Sequence, residues 1–258
     1  MKEVIANSFA GKIVLLTGAG SGFGRLAATR FHELGARLAL CDINQDALAS
    51  LVSELGANKQ DVLTQQCDVS SAGDVQAFFD AIHAHFGRID IAVNNAGIAH
   101  DHKPLHECDE VLWEQVMAVN LTGVFLFMIR EIKQMLAQGG GIILNIASVA
   151  GVLGAPKLGP YCASKHGVVG LSKTAAAEYG ANGIRVNSLC PGYSPTPLVQ
   201  SMLDAGEDDM SSKMTGRIPL GRMGKPEEIV DSMLWLCSDS NGFMNGASVV
   251  LDGGLTAC

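Results

Sequence analysis

Residues 12–24 read KIVLLTGAGSGFG, and this segment determines the architecture of the chain. Its first half is a short, nearly continuous apolar run, which is typical of a strand buried on both faces of a parallel sheet. Its second half is rich in glycine and leads into a segment with helical composition. Such a turn lets the backbone approach a pyrophosphate, whose charge meets free N–H groups at the helix start. We therefore predict a nucleotide-binding turn with the variant spacing Gly-x-x-x-Gly-x-Gly.

The next predicted strand, RLALCD, ends at Asp42. A carboxylate there can accept hydrogen bonds from both adenosine ribose hydroxyls, and its charge would repel a 2′-phosphate. NAD is therefore favoured over NADP. Arg25 and Arg37 could still assist a phosphate, so NADP stays open. Asp42 could also be an ordinary turn residue that caps the helix starting near Asn44.

Strand and helix patterns alternate along the whole chain, with seven candidate strands. This alternation predicts an α/β fold: a doubly wound (Rossmann) seven-stranded parallel sheet with helices on both faces and strand order 3-2-1-4-5-6-7. No linker or repeat divides the 258 residues, so we expect a single domain over residues 1–258. Residues 193–215 are mixed in character, which suits a variable substrate lid, although a surface helix is an alternative. The helices are expected at about 45–55, 72–86, 110–136, 159–181 and 226–237.

A second decisive segment, residues 148–165, reads SVAGVLGAPKLGPYCASK. Tyr161 and Lys165 are four residues apart and would share one face of a helix. An ammonium beside a phenol favours the phenolate, which would move the pKa of Tyr161 from about 10 toward neutrality and make it a candidate proton acceptor. Ser148 ends the preceding strand and could hold a substrate oxygen. Tyr-x-x-x-Lys alone also occurs by chance.

Other segments add weaker signals. Asp68 and Val69 follow the third strand and could frame the adenine, and residues 94–97, NNAG, would permit close approach of a cofactor or form a simple turn. Asn120 is a poor residue for the middle of a helix, and by itself it indicates a surface position or a kink. His100, His102 and His106 fall in one loop, where a metal site is disfavoured and a solvated loop near the site is preferred.

Composition excludes several classes of protein. The net charge of −8 and pI near 5.3 leave no basic surface for nucleic acid. No uninterrupted apolar run reaches the ~18 residues of a membrane span, and the first residues lack a signal-peptide pattern. We therefore expect a cytoplasmic protein without a membrane partner. The seven scattered cysteines are interpreted as reduced thiols, and Cys162 is given no role.

Together these residues resemble the short-chain dehydrogenase/reductase family over essentially the whole chain. The cofactor motif is matched by Thr17, Gly18, Gly22 and Gly24, the sheet-stabilising motif by residues 94–97, and the nicotinamide-side motif by Pro191, Gly192 and Thr196. The family's catalytic tetrad corresponds to Asn120, Ser148, Tyr161 and Lys165. The cofactor contacts that the resemblance implies are Gly18, Ser21, Gly22, Phe23, Gly24, Asp42, Ile43, Asp68, Val69, Asn95, Ala96, Gly97, Tyr161, Lys165, Pro191, Gly192 and Thr196.

The resemblance also implies the roles of these residues. Tyr161 exchanges the alcohol proton while hydride passes to or from NAD, Ser148 holds the substrate oxygen, and Lys165 binds the nicotinamide ribose and lowers the pKa of Tyr161. Asn120 anchors a water that relays protons from Lys165. Ser194 departs from the apolar residue usual in the family, and little effect on cofactor binding is expected. Relatives are commonly homotetramers, and no metal is implied.

We therefore expect an NAD-dependent oxidoreductase that converts a secondary alcohol to a ketone, with oxidation the favoured direction. Two alternatives stay open: an NADPH-dependent 3-oxoacyl-carrier-protein reductase or other carbonyl reductase, and a catalytically silent NAD-binding regulator. The expected pocket is mostly apolar and has no arginine or lysine placed for an anion, which favours a neutral, hydrophobic, cyclic, steroid or aryl substrate. Its expected lining is Ile98, His100, Val149, Ala150, Ala155, Leu158, Tyr193 and the segment 198–214.

Overall fold

A computed structural model describes residues 8–197, 199–200 and 210–257. Seven parallel strands form one sheet in the order β3-β2-β1-β4-β5-β6-β7, which confirms the predicted fold class and topology. The order reverses direction between β1 and β4, where the carboxyl ends of the strands leave a crevice for ligands. The strands are β1 Ile13–Thr17, β2 Arg37–Asp42, β3 Val62–Gln66, β4 Ile91–Asn94, β5 Gly141–Ile146, β6 Ile184–Pro191 and β7 Ser248–Leu251.

Eight α-helices connect the described strands. Their observed ends differ from the sequence expectation by a few residues at most, and the helix expected over 159–181 ends at Tyr179 before a 3₁₀ turn, Gly180–Asn182. The helices are α1 Gly22–Glu33, α2 Gln45–Leu55, α3 Ala72–His85, α4 Glu110–Met117, α5 Gly123–Gln138, α6 Gly159–Tyr179, α7 Met210–Thr215 and α8 Pro226–Cys237.

The core has two layers because side chains alternate across each strand. In β1, Val14 and Leu16 face the layer that includes α1, α2 and α8, whereas Leu15 faces the layer that includes α3, α5 and α6. Every residue of β1 is buried. Helices cover both faces of the sheet at β1, and this burial explains the continuous apolar run of its sequence.

The long helix predicted over 110–136 is interrupted by one π-helical turn, Ala118–Thr122, between α4 and α5. Asn120 lies in this turn and is completely buried. A π turn changes which backbone groups are paired and is frequent at functional sites. Asn120 is thus at a structural irregularity in the interior, and not at the surface.

The combined helix Glu110–Gln138 has 29 residues and contains an 18-residue stretch with a mean hydropathy of 1.5, so by length and composition it could cross a membrane. A single helix of this kind is weak evidence, because the core helix of a globular domain has the same properties. Here Val124, Phe127 and Met128 pack into the core beneath the sheet. Other apolar side chains of the helix, including Val111 and Phe125, are exposed.

Six of the seven cysteines lie in the described part of the chain, and all six are free thiols. This confirms the interpretation of reduced cysteines for those positions. Cys162 does have a local contact, since its sulfur accepts a hydrogen bond from the Ala155 N–H at 3.2 Å and so holds the loop that precedes α6.

Candidate active site

The glycine-rich turn between β1 and α1 opens one end of a cavity of about 540 Å³. Gly18 and Gly22 have φ values of +66° and +51°, which side-chain-bearing residues rarely adopt. A Cβ on Gly22 would have no protein atom closer than 3.6 Å, so that side of the turn faces open space. Ser21, the N-cap of α1, makes no capping hydrogen bond, and the first turn of α1 has no acidic residue. The uncapped N–H groups suit the pyrophosphate of a dinucleotide.

Gly24 is not among the residues that line this cavity, and its contact with a cofactor stays a prediction. A Cβ at this position would lie 2.0 Å from the Gly18 carbonyl oxygen and 2.7 Å from the Asn95 amide nitrogen. The glycine is needed because α1 passes directly against the turn and the end of β4. All the other residues named as cofactor contacts line the cavity.

Asp42 lies at the adenosine end predicted for the cavity. Its carboxylate accepts hydrogen bonds from the N–H groups of Gly20 at 2.8 Å and Asn44 at 2.9 Å. The cap of α2 is Asn44 itself, whose side-chain oxygen accepts from the Ala47 N–H. Asp42 is therefore oriented by the turn and α2 and does not act as the cap.

The two arginines that could have assisted a phosphate are engaged elsewhere. Arg25 forms an ion pair with Glu54 at 2.5 Å and also donates to Ser50. Arg37 lies over the Phe86 ring and donates to the Gln60 carbonyl oxygen at 2.8 Å. Neither arginine lines the cavity.

The end of β4 is fastened to the end of β1. The Thr17 hydroxyl oxygen accepts from the N–H groups of Asn95 and Ala96, each at 2.9 Å, and the Asn95 side chain donates to the Thr17 carbonyl oxygen. These contacts hold residues 95–97 in the cavity wall. The predicted close approach of the NNAG segment to a cofactor stays a prediction.

Ser148, Tyr161 and Lys165 come together in the same cavity. Ser148 follows β5, and its hydroxyl oxygen accepts from the Ala150 N–H at 3.1 Å. Tyr161 lies in the first turn of α6, close enough to the Ser148 hydroxyl for that group to lower the pKa of the phenol. The Lys165 ammonium donates to the Ile146 carbonyl oxygen at 2.9 Å and lies 5.7 Å from the centre of the Tyr161 ring.

The electrostatics differ from the sequence expectation. Burial raises the pKa of Tyr161 to about 12, although the hydrogen bond from Ser148 acts in the lowering direction. Burial also lowers the pKa of Lys165 to about 8. The pKa of Tyr161 therefore lies above its ordinary value and does not show the expected fall, because loss of hydration outweighs the effect of Ser148.

Asn120 lies behind the cavity wall and not in it. Its amide donates to the Ile98 carbonyl oxygen at 2.9 Å and to the Ser164 hydroxyl at 3.3 Å, and its oxygen accepts from the Ile98 N–H at 2.8 Å. A Cβ on Gly97 would lie 3.2 Å from the Asn120 oxygen and 3.4 Å from the Lys165 nitrogen. Asn120 therefore fixes the backbone that passes directly over Lys165.

The rest of the cavity wall is mainly apolar. Of the residues expected there, His100 is absent: its Nδ1 donates to the Asp101 carbonyl oxygen, and its buried Nε2 has no partner among the described residues. His102 lines the cavity instead. The alternation of side chains along an extended segment is too weak a signal to decide from sequence which histidine lines the cavity. The confirmed lining residues are Ile98, Val149, Ala150, Ala155, Leu158 and Tyr193.

Part of the expected lid, residues 198 and 201–209, lies outside the described residues. The described positions Val199 and Met214 line the cavity, and so does the exposed Arg217. Arg217 corrects the expectation that no arginine or lysine would be available for an anion. Within the described ranges, no group of three or more His, Cys, Asp or Glu residues is arranged to hold a metal ion.

A glycine cradle with an uncapped helix start, an acidic residue at the end of β2 and a Ser–Tyr–Lys group in one cavity define a nicotinamide-dependent oxidoreductase. A family model described as "Enoyl-(Acyl carrier protein) reductase" matches residues 18–256. The chain belongs to the short-chain dehydrogenase/reductase family.

Relatives of known name cover nearly the whole chain. D-threitol dehydrogenase of Mycolicibacterium smegmatis is 42% identical over 95% of this chain and 93% of its own length, and cyclohexanol dehydrogenase of an Acinetobacter strain is 37% identical over 100% of both. Among solved structures, a 3-ketoacyl-(acyl-carrier-protein) reductase from Brucella melitensis complexed with NADH is 33% identical, with a TM-score of 0.89 over 96% of this chain and 99% of that one. The chain is thus similar both to dehydrogenases named for alcohols and to a reductase complexed with NADH.

Proposed function

We propose that this protein is an NAD-dependent oxidoreductase that interconverts a neutral secondary alcohol and its ketone. One observation carries the proposal: Ser148 and Tyr161 line the same cavity as Asp42. A dinucleotide bound along this cavity would extend from Asp42 toward Lys165. The substrate oxygen would then be held where two hydroxyl groups converge.

The residues act on the substrate oxygen and its proton. When bound, the nicotinamide supplies the acceptor or donor of hydride. Ser148 and Tyr161 orient the oxygen, and Tyr161 donates its proton to a ketone or accepts one from an alcohol. The high pKa of Tyr161, about 12, keeps the phenol protonated and ready to donate. In the oxidation direction, the ammonium of Lys165 would stabilise the phenolate.

The preference for NAD over NADP is supported by Asp42 and by the two arginines. A 2′-phosphate near Asp42 would place like charges together, and no described arginine or lysine near that end of the cavity is free to offset them, because Arg25 and Arg37 have other partners. In NAD, both hydroxyl groups of the adenosine ribose would donate hydrogen bonds to the Asp42 carboxylate.

The substrate class is supported by the apolar wall and by the names of relatives. A polyol dehydrogenase and a cyclic-alcohol dehydrogenase are both similar to this chain. We propose a compact secondary alcohol, cyclic or with several hydroxyl groups. Arg217 makes a carboxylated alcohol a necessary comparison, because an exposed cation at the wall could bind its carboxylate.

A second candidate is an NADPH-dependent acyl-carrier-protein reductase. Its acyl-carrier substrate is favoured by the description of the matching family model and by the similar Brucella structure, whereas that structure is complexed with NADH and does not favour NADPH. The net charge of −8 opposes it, because an acidic carrier would be repelled. Turnover of a 3-oxoacyl carrier with NADPH, exceeding that of free alcohols with NAD⁺, would establish this candidate.

We also propose that the protein is a cytoplasmic homotetramer. Exposed apolar side chains on the helix Glu110–Gln138, including Val111, Trp113 and Phe125, support assembly through that helix. The six free thiols support a reducing compartment. Light scattering at several protein concentrations tests the assembly, and a monomer at all of them would contradict it.

The function is tested by nicotinamide absorbance with NAD⁺ and NADP⁺. The panel contains cyclohexanol, threitol, 4-hydroxycyclohexanecarboxylate and a steroid alcohol. We expect turnover with NAD⁺ of at least one neutral alcohol and a much lower kcat/KM with NADP⁺. Exclusive use of NADP⁺, or turnover of the carboxylated alcohol alone, would contradict the proposal.

A further inference from the structure

We propose that His102 is a specificity-determining residue that hydrogen bonds a second oxygen of the substrate, so that the enzyme prefers diols and other vicinal or ring polyols to simple alcohols. This inference rests on the proposed function and names the substrate class more narrowly. Three observations support it: the position of His102 in the cavity wall, the hydrogen bonds that hold its loop, and the mainly apolar character of the other wall residues.

The loop that carries His102 is fixed at both ends. At its start, both backbone hydrogen-bonding groups of Ile98 are engaged by the Asn120 side chain. At its end, the Lys103 N–H donates to the Lys157 carbonyl oxygen at 3.0 Å, in an isolated parallel bridge to Leu158. The bridge lies immediately before α6, the helix of Tyr161. His102 is thus held in register with the reacting end of the cavity.

The imidazole is available for a ligand. It lines the cavity, is partly exposed, and makes no hydrogen bond to another described residue. Its neighbour His100 is turned away and is occupied by the Asp101 carbonyl oxygen. The loop therefore presents one of its two histidines to the cavity and fixes the other in the protein.

Other polar groups of the described wall are less suited to this role. Tyr193 and Ser194 directly follow Pro191 and Gly192, which we assign to the cofactor, and the Ser194 hydroxyl oxygen is buried although it has no partner among the described residues. Arg217 is exposed to solvent. Most other lining side chains beyond the Ser148–Tyr161 pair are apolar or small. A second substrate hydroxyl would be left without a partner in most of this wall, which costs binding energy.

The charge state of His102 also suits a hydroxyl group. Burial lowers its pKa, the nearby His100 and Lys157 act in the same direction, and Asp101 opposes them. A neutral imidazole offers one donor and one acceptor nitrogen. A hydroxyl group can use either of these, whereas a carboxylate would need a charged partner.

The test compares kcat/KM for cyclohexanol with kcat/KM for the 1,2-, 1,3- and 1,4-cyclohexanediols, using NAD⁺. His102→Phe keeps a planar ring but removes both nitrogens, and His102→Asn keeps a donor and an acceptor. We expect the wild-type protein to favour at least one diol. The Phe variant should reduce that preference by up to about tenfold, which is the upper end for one neutral hydrogen bond, and the Asn variant should recover most of it.

His106→Phe is the matched control, because His106 is exposed on the same loop and contacts Glu107. It should leave the ratio of diol to cyclohexanol unchanged. Tyr193→Phe tests the competing assignment within the wall. Loss of the preference in Tyr193→Phe but not in His102→Phe would overturn the proposal.

An equal fall in kcat/KM for both kinds of substrate in His102→Phe would mean a purely structural role and would also overturn it. So would a wild-type protein that turns over cyclohexanol but favours no diol. Both results leave the proposed function intact. Absence of turnover with any alcohol of either kind would contradict the proposed function itself, and this inference with it.

Discussion

Asn120 and Ile98 form a closed pair of hydrogen bonds: the Asn120 amide nitrogen donates to the Ile98 carbonyl oxygen at 2.9 Å, and its oxygen accepts from the Ile98 N–H at 2.8 Å. The π turn Ala118–Thr122 makes this contact from inside a helix. The Asn120 side-chain amide thus satisfies both backbone groups of Ile98, as the backbone of a neighbouring strand would in a sheet.

Replacing Asn120 by Ala should therefore loosen the loop that starts at Ile98. Both backbone groups of Ile98 lose their partner, so we expect destabilisation of about 1–3 kcal/mol. Hydrogen exchange at the Ile98 amide should become much faster, and kcat/KM should fall. The matched variant Asn120→Asp keeps the acceptor and should retain protection of that amide. Unchanged exchange in Asn120→Ala would contradict the clamp.

Ser148→Ala should shift the pH dependence of alcohol oxidation to higher pH. The Ser148 hydrogen bond lowers the pKa of Tyr161, so its removal raises that pKa further, and the phenolate forms only at higher pH. The measurement is kcat/KM with NAD⁺ across the alkaline range, with Ser232→Ala on α8 as the control. A lower rate with an unmoved pH midpoint would mean that Ser148 only positions the substrate.

Glu131 should make the protein less stable as pH rises. It is completely buried, its one described partner is the Asn94 amide at 3.0 Å, and burial raises its pKa to about 8 from 4.5. Between these values the folded state keeps a proton that the unfolded state releases. Stability therefore falls with increasing pH in that window, by up to about 1.4 kcal/mol per pH unit.

Glu131→Gln removes this titration while keeping the shape of the side chain. The Tm of the Gln variant should rise relative to the wild type between pH 5 and pH 8. Glu114→Gln, at an exposed position of α4, should show no such trend. If the plots of Tm against pH for the wild type and for Glu131→Gln stay parallel across this range, Glu131 is not a buried neutral carboxyl group.

Gly24→Ala should weaken both folding and NADH binding. The added Cβ would lie 2.0 Å from the Gly18 carbonyl oxygen, so the turn or α1 must move, at a cost of about 1–3 kcal/mol. Gly73→Ala is the control, because in α3 a Cβ meets nothing closer than 3.9 Å. Urea unfolding and NADH fluorescence titration measure the two effects. An unaltered NADH affinity in Gly24→Ala would mean that the turn tolerates the shift.

The fold was predictable from sequence because its signals are local. The strand order follows from continuous apolar runs such as β1 together with the right-handed rule for crossovers. The ends of α2 and α8 follow from their capping residues and from the apolar periodicity. The convergence of Ser148, Tyr161 and Lys165 was likewise predictable, since strand ends and helix starts meet at one edge of such a sheet.

The parts that sequence did not yield depend on contacts between distant segments. The role of Asn120 needs Ile98 beside it, and the packing reason for Gly24 needs the Gly18 carbonyl oxygen. Which of His100 and His102 faces the cavity depends on the bridge to Leu158. The pKa of Tyr161 depends on how completely α6 and β5 exclude water, which spacing along the chain does not report.

The central claim is that Tyr161 exchanges the substrate proton in a cavity that binds NAD. The most direct measurement is the turnover of Tyr161→Phe with NAD⁺ and the best alcohol of the panel, together with its dissociation constant for NADH. We expect kcat to fall by about 10²- to 10⁴-fold, with NADH affinity unchanged. A Phe variant that retains most of its activity would contradict this claim.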